Sequence, residues 1–127
     1  MEKLKNGKII INIDYIKNIS GIAGYFEVEL LTDDKIEYKM ILNHAWDFRV
    51  SIENASIDRF CEFRKNLPDD IIENSIYIVE NSEYIKYFEN QVSGTRPIEF
   101  LSHYIICDKI DTTIDVLSEV DPILIKI

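Results

Sequence analysis

His103 and Cys107 stand four residues apart in an apolar run from Leu101 to Cys107, and together they have the composition of a nucleophile with its base, or of half a metal site. The run is strand-like, so both side chains share a face but lie about 13 Å apart at a rise of about 3.3 Å per residue. They cannot touch. Cys107 therefore reads as a small buried hydrophobe, and His103 as a partly buried ring satisfied by hydrogen bonds. Glu27 and Glu29 sit on one strand face at the roughly 7 Å spacing at which paired carboxylates do acid–base work, yet that face is outward and has Lys39 as a ready partner. His44 and Trp46, between two strands, suit the end of a sheet better than a ligand set. Ser93-Gly94-Thr95-Arg96-Pro97 has the residues of an anion-binding loop, but it lacks GxxxxGK[ST] and follows a helix instead of preceding one. No catalytic residue, metal set or cofactor motif emerges, and the chain reads as a non-enzyme.

The elements that position these residues follow from periodicity. Ile9, Ile11 and Ile13 alternate with Lys8 and Asn12 as a half-buried strand, and Gly21 and Gly24 allow a turn. Phe26, Val28 and Leu30, then Ile36, Tyr38, Met40 and Leu42, form the two arms of a hairpin. Its three-residue loop, Asp33 to Lys35, pairs Leu30 with Tyr38 and sets Glu29 opposite Lys39. Phe48, Val50 and Ile52 extend this meander as a third strand with Asp47, Arg49 and Ser51 outward. Ser56 caps a helix whose inner face is Ile57, Phe60, Cys61, Arg64 and Leu67, and Pro68 ends it. Residues 76–80 are strand-like. Ser82 caps a second helix with Tyr84, Ile85, Phe88 and Val92 inward, and Gly94 stops it. Three strands close the chain, over 101–107, 112–117 and 123–127. The expected class is α+β, one domain over residues 1–127, with a curved and mainly antiparallel sheet and two helices packed on one face.

Composition bounds the function. The 127 residues are 46% hydrophobic and 29% charged, enough for one core without staples. Neither a signal-peptide core nor a membrane span can be drawn through Met1 to Ile16, so a cytoplasmic protein with no membrane partner and free thiols at Cys61 and Cys107 is expected. The net charge of -9 is lopsided: residues 1–68 carry 11 acidic and 10 basic side chains, residues 69–127 carry 12 and 4. Affinity for nucleic acid comes mainly from Lys and Arg neutralising phosphates, so direct binding to a polyanion is excluded as the main role despite 7 Tyr and 6 Phe. The acidic excess falls in two groups, Asp69, Asp70 and Glu73 beside Pro68, and Asp108, Asp111, Asp115, Glu119 and Asp121 at the turns and edges of the last strands. Each has a local explanation as a turn residue; together they are the expected partner-binding face.

The late segment His103-Tyr104-Ile105-Ile106-Cys107-Asp108, then Ile114-Asp115-Val116-Leu117-Ser118 and Asp121-Pro122, resembles immunity proteins of bacterial polymorphic-toxin systems, including contact-dependent growth inhibition. The resemblance covers about the last third of the chain. It implies a toxin inhibitor that binds the toxin domain of a cognate secreted protein and blocks its active site, many such toxins being nucleases. A nuclease is basic where it holds phosphate, so well-spaced carboxylates can occupy those positions with a steered on-rate. An acidic secretion chaperone, binding an apolar client segment with little salt dependence, and a nucleic-acid mimic, blocking several unrelated DNA-binding proteins, share the composition and remain alternatives.

Overall fold

The computed structural model describes residues 2–52, 74–92, 99–110 and 112–127. Nine strands carry most of it: β1 (Lys3–Asn6), β2 (Ile13–Ile22), β3 (Tyr25–Thr32), β4 (Glu37–Asn43), β5 (Ala45–Ile52), β6 (Ile76–Glu80), β7 (Ser102–Cys107), β8 (Thr112–Ser118) and β9 (Ile123–Lys126). They form two antiparallel sheets, a five-stranded sheet A in the order β1-β6-β7-β8-β5 and a four-stranded sheet B in the order β2-β3-β4-β9. Among the described residues the helix α1 (Glu83–Val92) stands alone. The architecture is therefore mainly β, and the expected α+β class with one curved sheet and two helices on it is corrected. The expected helix after Ser56 and the stop at Gly94 lie outside the described residues.

The hairpin was legible in detail. Leu30 faces Tyr38 and Glu29 faces Lys39, as the even-sum pairing requires. Its three-residue loop closes with Lys35 in the left-handed region (φ 68°), a Thr32 N–H bond to the Ile36 carbonyl at 3.0 Å, and a hydroxyl bond from Thr32 to Asp34. The ion pair of Lys39 goes to the diagonal Glu27, at 3.5 Å, instead of to Glu29 directly opposite.

The meander breaks after β4. His44 adopts a left-handed backbone (φ 52°), and the turn it makes carries β5 out of sheet B and into sheet A, where it pairs with β8. β9 takes the vacant place beside β4. The β4–β5 segment and the β8–β9 segment thus run together through one corner, which is how packed sheets change strand direction. The corner is held by Glu119 N–H to the His44 carbonyl at 3.4 Å and by the Ser118 hydroxyl to the Asn43 carbonyl at 2.9 Å. Periodicity identified Phe48, Val50 and Ile52 as a strand but carried no information on which sheet receives it. The run from Ile9 differs as well. It enters β2 only at Ile13, and its backbone is tied instead to the segment before β6: Asn74 Oδ1 accepts from Ile11 N–H at 2.8 Å and Ser75 N–H donates to the Ile11 carbonyl at 2.9 Å.

The core lies between the sheets. Ile13, Val28, Leu30, Met40 and Leu42 from sheet B meet Ile76, Tyr104, Ile106, Ile114 and Val116 from sheet A, all buried. Each such aliphatic side chain contributes about 1.5–3 kcal/mol on burial. Phe26 and Phe48 stack across the gap with ring centroids 4.3 Å apart. Sheet A is buried on its other face too, where Leu4, Tyr77, Val79 and Ile105 form a second cluster, and this explains why β7 and β8 read as almost unbroken apolar runs.

At the β2–β3 turn, a Cβ on Gly21 would sit 2.3 Å from the Tyr25 carbonyl oxygen and 2.8 Å from Phe26 Cα. Backbone atoms cannot swing aside as a side chain does, so Gly21→Ala should cost about 1–3 kcal/mol by opening this turn. Urea unfolding of the variant measures it, and Gly24→Ala, with open space for a Cβ but a positive φ of 82°, should cost less.

Candidate functional site

Register decides which polar side chains meet on the face of sheet A turned away from sheet B. One cross-strand row reads Asn6, Tyr77, Ile105, Asp115, Arg49, and the next reads Leu4, Val79, His103, Leu117, Asp47. His103 and Asp115 are therefore diagonal neighbours on adjacent strands, within side-chain reach. α1 starts directly above them. β6 ends at Glu80, Asn81 turns with a left-handed backbone (φ 55°), and Ser82 becomes the N-cap, its Oγ accepting from Ile85 N–H at 3.1 Å.

These placements link three buried side chains. Ser82 Oγ lies 2.6 Å from His103 Nδ1, and His103 Nε2 lies 2.6 Å from Asp115 Oδ1. An ionised Asp115 can only accept, so the Nε2–H of the ring donates to it, and Nδ1 shares the second hydrogen bond with the Ser82 hydroxyl. Arg49 extends the group. Its Nε is 3.8 Å from Asp115 Oδ2, too long for a direct hydrogen bond, and its guanidinium lies 4.0 Å over the Tyr84 ring. Tyr84 stands edge-on to His103 at 5.3 Å and donates its hydroxyl to Asp47 Oδ2 at 2.7 Å. Burial, and after it that bond to a carboxylate, pushes the Tyr84 phenol well above its ordinary range.

Ser, His and Asp in a hydrogen-bonded row have the composition of an acyl-transfer centre. The geometry uses them otherwise. His103 and Asp115 are 0% exposed and Ser82 4%, so the hydroxyl has no open approach. Its oxygen also accepts the Ile85 N–H of the helix cap. The adjacent helix N–H, of Glu83, which would have to stabilise an oxyanion, donates to the Glu2 carboxylate at 3.0 Å. What the row does is dock α1 on sheet A. Among the described residues no group of His, Cys, Asp and Glu side chains is arranged to hold a metal ion, and no helix is long and apolar enough to cross a membrane.

The expected acidic face is not assembled as drawn. Asp115 is internal, a correction to its assignment as a surface contact. Asp108 spends Oδ1 on the N–H groups of Ile110 and Thr112, at 3.0 and 2.9 Å, and Oδ2 on Ile16 N–H at 3.0 Å, so it shapes the β7–β8 turn and pins β2. Asp121 accepts the Tyr104 hydroxyl and pairs with Lys8 at 3.0 Å. Asp69, Asp70, Glu73 and Asp111 lie outside the described residues. Glu119 is exposed at the corner.

Residues not singled out by pattern do come together around it. Lys3 faces Glu80, Val79 faces His103 and Ser102 faces Ser118, which puts Glu80 and Glu119 at one end of sheet A. Glu83 opens α1 at that end, Glu2 bonds its first N–H, and Glu99 lies three residues before β7. Glu2, Glu80, Glu83, Glu99 and Glu119 thus lie toward one end of the sheet, with Lys3 opposite Glu80 and Lys86 paired with Glu83, and Phe100, next to Glu99 in sequence, is 72% exposed.

Two outcomes test these assignments. His103→Leu leaves a buried carboxylate without its ring partner and should cost about 3–5 kcal/mol, whereas His103→Leu combined with Asp115→Val should recover much of that loss. Simple additivity in urea unfolding would contradict a coupled pair. For Asp121, the Tyr104 hydroxyl and then Lys8 hold the carboxyl below its ordinary range, so its stabilisation is complete above 3.8 and lost as pH falls through the lower folded value. Tyr104→Phe should accordingly cost about 1 kcal/mol at neutral pH, and the gap to the native chain in a melting series should narrow below pH 3.8. Comparison of the chain with protein-family models, with curated proteins and with solved structures found no match.

Proposed function

We propose that this chain is an immunity protein of a polymorphic-toxin system, which neutralises a cognate toxin domain in the cytoplasm by covering its active site and carries out no catalysis itself. The observation that carries this reading is the acidic end of sheet A. Glu80, Glu83, Glu99 and Glu119 are all exposed, and so are Phe100, beside Glu99 in sequence, and Val120, beside Glu119. An exposed aromatic side chain on a carboxylate-rich end is suited to a basic, nucleic-acid-handling cleft: the charges steer encounter, and the desolvated ring supplies affinity. The likeness of the segment from His103 to Pro122 to immunity proteins supports the same reading.

A toxin that is a basic nuclease fits best, because its phosphate-holding side chains present the charge that these carboxylates complement. Binding to an acidic face also explains why a closed Ser82–His103–Asp115 row is useful in a protein without catalysis. It holds α1, and with it Glu83, in a fixed position relative to Glu80 and Glu119.

The test takes, as candidate partner, the C-terminal toxin domain of any large secreted protein whose gene adjoins this one. Replacing Glu80, Glu99 and Glu119 together by Lys should slow association at least about tenfold at low salt and by less at high salt. Phe100→Ala should speed dissociation by about 10- to 100-fold. An unaltered on-rate in the triple variant would remove the proposal, and salt-insensitive capture of an apolar segment would favour a secretion chaperone.

A further inference from the structure

Half of the large apolar side chains exposed among the described residues lie on one surface. Of twelve, Tyr15, Ile22, Tyr25, Ile123, Ile125 and Ile127 all fall on the face of sheet B turned away from the core. The register makes this a single surface: Ile22 faces Tyr25, Glu27 faces Ile41, and Ile41 and Lys39 face Ile123 and Ile125. Isolated exposed apolar residues need no explanation, but six on one sheet face, interleaved with polar residues, have the composition of an interface.

The charge on this face separates it from the rest of the molecule. It carries Lys17 and Lys39 against Glu27, Glu29 and Glu37, a net of -1 in a chain of net -9. Both cations already have partners within the chain, Lys17 with Glu37 at 2.6 Å and Lys39 with Glu27 at 3.5 Å. The face suits a basic toxin poorly, and two copies of an acidic chain could approach here with least repulsion. Size agrees. Four strands about 4.8 Å apart, with about 3.3 Å per residue along them, make a face of roughly 19 by 25 Å. Two such faces fully in contact exclude roughly 1,000 Å² in projection, about the minimum for a biological interface and in keeping with a weak, concentration-dependent dimer.

We infer that the outer face of sheet B binds a second copy of this chain, forming a two-fold dimer whose sheets pack face to face. The same patch serves both partners, with the isoleucines of β9 as apolar anchors along one edge of the face. This face and the acidic end of sheet A are different surfaces that adjoin at the His44 corner, and each has its own variants: those of β9 report on the dimer, and those at Glu80, Glu99 and Glu119 on the toxin.

Sedimentation of the full chain from low micromolar to roughly 500 µM, at physiological salt, should show a concentration-dependent monomer–dimer equilibrium. Ile125→Lys and Ile123→Glu, at side chains already 50% and 54% exposed, should each weaken the dimer at least about 100-fold while leaving the melting temperature of the monomer nearly unchanged. Phe100→Ala should leave the dimer intact. A native chain that stays monomeric throughout, or a dimer that survives both isoleucine substitutions, would overturn the inference.

Discussion

A carboxylate with no exposure to solvent, Asp115, sets the terms for one whole layer of this structure. An ion at that depth is stable only with a partner in good geometry, and the partner is the equally buried His103. The second ring nitrogen of His103 must be satisfied in turn, and Ser82 does that while also capping α1. One electrostatic requirement thus propagates from the middle of β8 across β7 to the start of a helix. Tyr84, two residues further, packs against the same ring, and its hydroxyl returns the chain of contacts to Asp47 on β5. A helix of ten residues is marginal alone in water, so α1 depends on this docking more than on its own propensity.

The corner at His44 has a comparable reach on the other side of the molecule. Turning β5 into sheet A brings Arg49 opposite Asp115 and Asp47 opposite Leu117. Without that turn, the outward residues of β5 would lie in sheet B and neither Asp115 nor Tyr84 would have its present neighbours. The departure from a simple meander is therefore what assembles the polar row.

The local elements were open to reading because each depends on neighbours in sequence. The hairpin register followed from the apolar parity of Leu30 and Tyr38 together with the loop length. Ser82 announced a helix start, and residues 76–80 announced a strand. Sheet membership was not open in this way, because Phe48 and Val50 alternate identically whichever partner they have. The acid at position 115 did carry a signal: it stands between Ile114 and Val116 in a run buried on both faces, where a carboxylate needs a specific partner more than it needs solvent. Reading it by charge alone assigned it to a surface. Asp108 and Asp121 illustrate the same point more mildly, since a turn acid spends its oxygens on nearby N–H groups and hydroxyls before it offers them to another protein.

Lopsided net charge is consequently a statement about the whole chain and not a map of its surface. Several of the late acids are consumed internally, and the carboxylates left facing water at the end of sheet A are glutamates, whose longer side chains reach past the backbone they would otherwise cap. The outer face of sheet B shows the opposite balance, with two of its three glutamates matched by Lys17 and Lys39 and its isoleucines uncovered. Charge gathered toward one end and apolar area on one face give a small domain two surfaces of different chemistry. They adjoin at the His44 corner, where Glu119 bonds the His44 carbonyl and the β2–β3 turn bonds Ala45.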